Sequence, residues 1–213
     1  MSSSVLPCDV KRIGVYGGSF DPVHLGHLLV AQAAIEELSL DRLFFVPAAQ
    51  SPFKQDQPHA PADERTRMLR LALAGWPHCE VDEQELQRGG VSYTVDTLRD
   101  YARRFPDTER FCLIGADNVP NLPRWREAGE VAQLAEFVAI PRPVGSTSLD
   151  RPADLSVGAT LGFPPPFRGR TLIGFAFGVS SSQIRARVRA GLSIDHLVPS
   201  AVAEALRNSR LYL

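Results

Sequence analysis

The sequence predicts one α/β domain in which a doubly wound parallel sheet carries helices on both faces. Short and almost continuously apolar segments, such as 43–46, 111–114 and 137–140, alternate with longer segments of helical periodicity. Strands that are apolar at every position are typical of a sheet buried on both faces. Because each such strand is separated from the next by a helix, we expect crossover connections and parallel strands.

The length and composition limit what the protein can be. Its 213 residues suffice for one domain with a substantial core. The 23 basic residues nearly balance the 24 acidic ones, which excludes the basic excess of a dedicated nucleic-acid-binding protein. No apolar run approaches the roughly eighteen residues of a membrane span, so neither nucleic acid nor a membrane is an expected partner. The oligomeric state stays open, with a homo-oligomer among the alternatives.

The three cysteines, Cys8, Cys79 and Cys112, are widely spaced along the chain. They fit neither a disulfide framework nor a metal-binding motif, so we expect a cytoplasmic protein without a metal site of its own. Cys112 lies in an apolar strand and is interpreted as a small core residue. Residues 1–11 lack the apolar core of a secretory signal and predict a flexible leader before a domain at 12–213.

The first half of the domain predicts two strand-helix units. Residues 12–16 form a β-rich strand, and the apolar residues of 28–38 recur three or four positions apart, as on one buried helical face. The apolar strand 43–46 ends at a proline. A helix over 63–73 follows, for which Asp63 is a suitable N-cap and a glycine and a proline mark the end.

The middle of the chain continues the alternation. A short strand at 79–81 precedes a helix over 94–105, which a proline ends. The apolar strand 111–114 leads to a short helix at 124–134. The apolar strand 137–140 is again stopped by a proline.

Residues 143–169 interrupt this rhythm. They are rich in proline and glycine and show little periodicity, which predicts a long loop. The alternation resumes with a strand at 171–175 and a helix opened by three serines at 180–182. A last helix follows Pro199.

The most informative motif is Gly-Gly-Ser-Phe-Asp-Pro-Val-His-Leu-Gly-His at 17–27. Glycines after a strand let backbone amides approach a phosphate, and the following helix N-terminus adds its positive end. His24 and His27 share one face of the first helical turn and can point at the same polyanion. The motif therefore favours a nucleoside triphosphate site, the alternative being a tight turn whose histidines only cap and pack. The candidate residues are Gly17, Gly18, Ser19, His24, Gly26 and His27.

Further polar residues follow a predicted strand or open a predicted helix. Asp117 would lie at the carboxyl edge of the sheet, where it can accept hydrogen bonds from a ribose, and Gly115 would let a nucleotide lie against the backbone. Ser180 and Ser181 can cap their helix and hold phosphate oxygens. The planar fork of Arg185 suits a phosphate. The alternative for this cluster is an ordinary serine-capped helix with an exposed arginine.

A third group of residues suits a ring-bearing acceptor. Tyr93 and Thr94 open a predicted helix, whose first amides and threonine hydroxyl suit a carboxylate better than a carboxamide. Trp125 offers a flat face for stacking on a pyridine ring. Lys54 is a candidate cation for a phosphate. The alternatives are an N-cap role for Thr94, a core position for Trp125 and a solvated loop charge for Lys54.

These segments resemble the nucleotidyltransferase superfamily, and the string at 17–27 is most similar to the bacterial nicotinate-nucleotide adenylyltransferases. Shorter segments at 92–97, 113–117, 122–125 and 179–185 share the resemblance. It implies a Rossmann-like fold and adenylyl transfer from ATP to nicotinate mononucleotide, with release of pyrophosphate, in NAD biosynthesis.

The resemblance also implies roles for the candidate residues. His24, His27, Arg185 and Lys54 would be catalytic, and Mg²⁺ would arrive on ATP rather than in a protein site. Tyr93, Thr94 and Trp125 would hold the nicotinate end. The chain departs from the family at Phe53, where a histidine is usual, and at Val144, where glycine is common.

Three other functions stay open at this point. A related transferase could use nicotinamide mononucleotide or another phosphorylated acceptor. A tRNA-synthetase-like ligase is disfavoured, because the chain is too short for an anticodon-binding region. A nucleotide-binding sensor without turnover is disfavoured by the intact His24, His27 and Arg185.

Overall fold

The computed structural model describes residues 10–50, 59–141, 162–174 and 178–213. Its strands are β1 Arg12–Gly18, β2 Arg42–Pro47, β3 Cys79–Val81, β4 Glu109–Gly115, β5 Glu136–Ile140 and β6 Gly169–Thr171. Its α-helices are α1 Leu25–Leu38, α2 Ala62–Ala72, α3 Gln84–Arg88, α4 Thr94–Arg104, α5 Ala128–Leu134, α6 Ser181–Arg189 and α7 Ser200–Arg207. A 3₁₀ helix spans Ala116–Arg124.

The strands form one parallel sheet in the order β3-β2-β1-β4-β5-β6. The chain proceeds outward from β1 to β3 and then returns to place β4 on the other side of β1. This reversal separates the loops that leave the carboxyl ends of β1 and β4, and ligands of open α/β sheets bind in the resulting crevice. The predicted doubly wound parallel sheet is confirmed, and its switch point lies beside Gly18 and Gly115.

Both faces of the sheet are buried, which explains why the strands are apolar at every position. In β2, Leu43 and Phe45 pack in the cluster that holds Met68 of α2, whereas Phe44 and Val46 pack in the cluster that holds Leu98 of α4. Successive side chains of a strand point to opposite faces, so a two-sided core requires an unbroken apolar run.

Several predicted helix boundaries are wrong. The helix expected to be capped by Asp63 begins at Ala62 with Pro61 as its N-cap, and Asp63 lies in the first turn, where its charge suits the helix dipole. The helix expected over 124–134 begins at Ala128, because the preceding 3₁₀ helix contains two prolines, which cannot donate backbone hydrogen bonds. Helix α3 was not predicted, since five residues are too few to show a periodicity.

The expected loop and the strand after it also differ from the structure. Most of the predicted loop, at 143–161, lies outside the described residues, but Phe167 near its end is buried and packs edge-on against Phe137 with the ring centroids 5.4 Å apart. The predicted strand 171–175 ends at Thr171 in the described part of the chain. The Leu172 amide still donates to the Ala139 carbonyl of β5 over 2.9 Å, but the amides of Ile173 and Gly174 donate to the Glu37 carboxylate instead of to a strand.

Two of the cysteines lie in the described residues, and both are free and buried. Burial raises the pKa of the Cys79 and Cys112 thiols to about 12, so neither is a reactive thiolate at neutral pH. The interpretation of Cys112 as a core residue is confirmed. In the same part of the chain, no helix is long and apolar enough to cross a membrane.

Candidate active site

The glycines of the long motif end β1 and begin a turn toward α1. The carbonyl of Gly18 accepts a 2.9 Å hydrogen bond from the Ala48 amide, which joins this turn to the loop after β2. Within the described residues, a Cβ on Gly17 would meet no atom within 4 Å. The backbone at the end of β1 is therefore held from one side and open on another, as a phosphate-binding turn requires.

His24 and His27 form a stacked pair at the N-terminus of α1. His24 is the N-cap, and its ring lies 3.7 Å from that of His27, centroid to centroid. The His24 backbone N–H donates to Nδ1 of His27 over 3.1 Å. Because that nitrogen accepts, the proton of a neutral His27 resides on Nε2, which is left to donate to another group.

His24 shows why a glycine follows it two residues later. A Cβ on Gly26 would lie 3.0 Å from both Cε1 and Nδ1 of the His24 ring, so a larger residue would push the imidazole away. His24 is only 7% exposed, and its Nδ1 finds no hydrogen-bond partner among the described residues. A buried polar atom left without a partner is costly, and such atoms mark positions where a ligand can complete the bonding.

The two imidazoles are neutral at physiological pH. Burial lowers the pKa of His24 to about 4. Burial also lowers the pKa of His27 well below its usual value, and repulsion from a protonated His24 lowers it further. A bound polyphosphate would oppose both shifts, because a nearby negative charge favours the protonated form.

The stability of the protein is expected to depend on His24 in mild acid. The unfolded chain binds a proton with an ordinary histidine pKa of 6.5, whereas the folded chain resists it to about pH 4. His24 therefore does not reduce the free energy of unfolding above about pH 6.5. As the pH falls from there toward 4, the proton that the unfolded chain binds at this residue lowers the free energy of unfolding by about 3 kcal/mol. Urea denaturation of the wild type and His24→Asn measures the effect.

The difference in unfolding free energy between these two proteins is expected to shrink by that amount on acidification, because only the wild type carries the titrating ring. His78→Asn is the matched control, since His78 is an exposed histidine at the amino end of β3. Parallel curves for wild type and His24→Asn would contradict the prediction.

The second motif lies against the first. Ser180 is the N-cap of α6, and its hydroxyl accepts from the Gln183 amide. The Ser181 hydroxyl donates to the Pro22 carbonyl over 2.9 Å, and Nη1 of Arg185 donates to the Asp21 carbonyl over 2.7 Å. The structure thus brings the N-termini of α1 and α6 to one turn, where both helix ends favour an anion.

A buried arginine that the sequence did not single out supports this turn. Arg65 of α2 is 2% exposed and donates to the carbonyls of Ser19 at 2.7 Å, Ala48 at 2.9 Å and Ala60 at 3.1 Å. Burial lowers the pKa of its guanidinium, an effect that the nearby Asp21 opposes. Its planar donors satisfy three carbonyls from three separate segments, which fixes those segments relative to one another.

The candidate ribose-binding residues lie at the carboxyl end of β4. Gly115 ends this strand and Asp117 is exposed in the first turn of the 3₁₀ helix that follows. Because β4 is the neighbour of β1, these residues lie at the same edge of the sheet as Gly17. The placement agrees with a nucleotide that crosses the switch point between the two strands.

The candidate acceptor-binding residues Tyr93 and Trp125 pack against the core cluster on the face of the sheet that holds α4. Tyr93 is the N-cap of α4 and Thr94 is its first helical residue, so the alternative interpretation of Thr94 as the N-cap is wrong. Neighbouring Ser92 ties this segment to the loop after β2, because its hydroxyl accepts from the Ala49 amide over 3.0 Å. Trp125 is half-buried, and its ring meets Phe137 edge-on with the centroids 6.0 Å apart.

A buried carboxylate supports the start of α4. Glu85 of α3 is 7% exposed, and its Oε1 accepts a 2.6 Å hydrogen bond from the Thr97 hydroxyl in the first turn of α4. Burial raises the pKa of Glu85, and the hydrogen bonds from Thr97 and Ser92 oppose that shift. Glu85 therefore joins α3 to the first turn of α4, next to Tyr93. Nothing in the local sequence pattern indicates this role.

Comparison with known proteins places the chain in a family. A family model described as cytidylyltransferase-like matches residues 15–187. A probable nicotinate-nucleotide adenylyltransferase from Opitutus terrae is 38% identical over 208 residues, which cover 94% of this chain and 97% of that protein. Another from Gemmatimonas aurantiaca is 40% identical over 205 residues, covering 94% and 92%. The chain belongs to the nicotinate-nucleotide adenylyltransferase family.

A solved structure agrees with this placement at the level of the fold. Plasmodium falciparum nicotinic acid mononucleotide adenylyltransferase, complexed with NaAD, superposes with a TM-score of 0.69 over 95% of this chain and 97% of that chain. The sequence identity is 19%, so the likeness is one of fold. The family predicted from the motif at 17–27 is confirmed.

In this nicotinate-nucleotide adenylyltransferase family member, most of the predicted site residues lie at the carboxyl edge of the sheet, and further polar residues contact the segments that carry them. Lys54 lies outside the described residues. The additional residues are the buried Asp21 carboxylate, Arg65, Glu85 and Tyr212. Asp21 lies within the motif at 17–27, which gives it a sequence signal. Arg65 shares the buried face of α2 with Met68 and Leu69, three and four positions on, where a charge is unexpected.

Proposed function

We propose that the chain transfers an adenylyl group from ATP to nicotinate mononucleotide, forming nicotinic acid adenine dinucleotide and pyrophosphate in NAD biosynthesis. The observation that carries the proposal is the stacked His24–His27 pair, which lies at the same turn as Arg185 and the N-terminus of α6. This turn follows β1 at the switch point of the sheet. The names of the relatives support the choice of substrates.

The reaction needs positioning and charge stabilisation rather than a nucleophilic side chain. The 5′-phosphate oxygen of the mononucleotide forms a bond to the α-phosphorus of ATP, while the bond from that phosphorus to the bridging oxygen breaks and pyrophosphate leaves with the electron pair. The attacking phosphate is already an anion at neutral pH. Catalysis therefore rests on alignment and on donors directed at the developing charge.

The histidines supply such donors in this proposal. Nε2 of His27 carries the proton of the neutral ring, and Nδ1 of His24, which has no hydrogen-bond partner in the described part of the chain, provides a second polar atom. As negative charge gathers on the α-phosphate and the leaving pyrophosphate, the pKa of each imidazole rises and the donors strengthen. Arg185 and Lys54 complete the cationic group, and the Gly17, Gly18 and Ser19 backbone cradles the phosphates with Ser180 and Ser181.

The two ends of the product would lie at different strands. The ribose of ATP would meet Asp117 after β4, and Gly115 would let the nucleotide lie against the backbone. The nicotinate carboxylate would accept hydrogen bonds from the first amides of α4 at Thr94, beside Tyr93. Its ring would stack on the exposed part of Trp125.

We propose that Mg²⁺ enters as part of the ATP substrate. Mg²⁺ keeps several waters and binds substrate phosphates, so it needs few protein ligands. Within the described residues, no group of three or more histidine, cysteine, aspartate or glutamate side chains could hold a metal ion.

A cytoplasmic location would agree with the buried free thiols of Cys79 and Cys112.

A pyrophosphate-release assay tests the proposed function. Release is expected only when ATP, Mg²⁺ and nicotinate mononucleotide are all present, and the dinucleotide product is expected in equal amount by mass spectrometry. Release with a different phosphorylated acceptor alone would replace the substrate in the proposal. Nucleotide binding without release under any of these conditions would instead indicate a sensor.

A further inference from the structure

The Asp21 carboxylate is a buried meeting point of distant segments. It is 1% exposed. Its Oδ1 accepts hydrogen bonds from the Tyr212 hydroxyl at 2.5 Å and the Ala60 amide at 3.2 Å, and its Oδ2 lies 3.1 Å from Nδ1 of His59. Three groups from two other segments thus bond a buried carboxylate that lies in the turn between β1 and α1.

Arg185 touches the same residue without forming a close ion pair. Its Nη1 donates to the backbone carbonyl of Asp21 over 2.7 Å but stays 3.7 Å from Oδ2 of the carboxylate. Its Nη2 makes one hydrogen bond within the described residues, a long one of 3.4 Å to the Ser182 hydroxyl. A bidentate bond to the carboxylate would occupy the fork of donors that a phosphate would use. The observed geometry keeps the guanidinium in place and leaves most of that fork available.

The phenol of Tyr212 is protonated at neutral pH and donates a hydrogen bond to the Asp21 carboxylate. Burial raises its pKa above the usual value, and its contact with the Asp21 carboxylate raises it further. It therefore stays protonated at neutral pH and always offers its hydrogen to Asp21. Tyr212 packs against the core cluster on the side of the sheet that holds α1 and α2.

We propose that Tyr212 is a positioning residue for adenylyl transfer, because its hydroxyl bonds Asp21 and so prevents that carboxylate from capturing the phosphate-binding Arg185. This inference rests on the proposed function, in which Arg185 contacts the phosphates of ATP. Without the hydroxyl, a buried carboxylate lacks one of its donors, and the Arg185 guanidinium, 3.7 Å away, can take its place.

Tyr212→Phe tests this inference, because it removes one oxygen and retains the packed ring. The KM for ATP is expected to rise about tenfold, the equivalent of one charge-assisted hydrogen bond, while the KM for nicotinate mononucleotide stays within about twofold. The double variant Tyr212→Phe with Asp21→Asn removes the capturing charge as well. It is expected to recover most of the affinity for ATP that the single variant loses.

Tyr101→Phe is the matched control. Tyr101 is also buried and donates to a carboxylate, that of Asp82 at 2.8 Å, but it lies in the core cluster on the other face of the sheet. It is expected to lower the melting temperature without changing the KM for ATP.

An unchanged KM for ATP in Tyr212→Phe would overturn the inference, as would a double variant that is no better than the single one. A failure of the proposed function is seen separately, as the absence of pyrophosphate release by the wild type.

Discussion

Replacing His27 with asparagine is expected to lower turnover about 100- to 1000-fold while the protein stays folded. The amide oxygen of the new side chain would lie near the position of the imidazole Nδ1 and can still accept from the His24 backbone N–H, so the N-terminus of α1 keeps its cap. The Nε2 donor is lost, together with the ring that stacks on His24. Removal of one preorganised donor from a site where charge develops costs about this factor.

Steady-state pyrophosphate release measures the loss, and circular dichroism and thermal melting check the fold. His27→Gln is expected to be less impaired than His27→Asn, because its longer amide can place an N–H near the former Nε2. His24→Ala should lose turnover by a similar factor, since it removes the other ring of the stacked pair. His78→Asn, which replaces an exposed histidine remote from the site, should keep wild-type turnover.

If His27→Asn and His24→Ala both retained turnover within about threefold of the wild type, no transition-state donor would be assigned to either ring. The pair would then be a structural element of the helix N-terminus.

The choice between acceptors is expected to be nearly as large an effect. Nicotinate mononucleotide should be preferred over nicotinamide mononucleotide by about 30- to 1000-fold in kcat/KM, because the pocket offers donors and the two ligands differ in one acceptor. The side chain of Tyr93, the N-cap of α4, makes no capping hydrogen bond, so the first amides after it can bond a carboxylate. The NH₂ of a carboxamide would face these donors unpaired.

The measurement is the ratio of kcat/KM for the two mononucleotides at fixed ATP and Mg²⁺. Trp125→Ala is the control, because stacking meets both pyridine rings alike and its loss should weaken both acceptors by similar factors. A ratio near one, or a preference for the amide, would overturn the assignment of the acceptor and leave adenylyl transfer in place. A change of the ratio in Trp125→Ala would move the source of selectivity from α4 to the tryptophan.

The sequence by itself determined the fold class and the family. The strands can be predicted from the sequence because burial on both faces makes them apolar throughout, as in β2 with Leu43 to Val46. The two histidines and the glycine between them can be assigned to one site from the sequence, because their geometry is local to one helical turn. The helix ends near Asp63 and Arg124 were predicted less accurately, since capping and proline effects compete within one or two residues.

Only the tertiary structure decided how the turn between β1 and α1 is held. The groups that bond Asp21 come from His59, Arg185 and Tyr212, which lie 38, 164 and 191 residues away. Likewise, Arg65 reaches the Ser19 carbonyl across 46 residues. Periodicity reports which face of an element is buried, but it carries no information about which distant polar group will meet a buried charge. That pairing is set by the packing of whole elements, because every buried carboxylate or guanidinium must be satisfied wherever the fold places it.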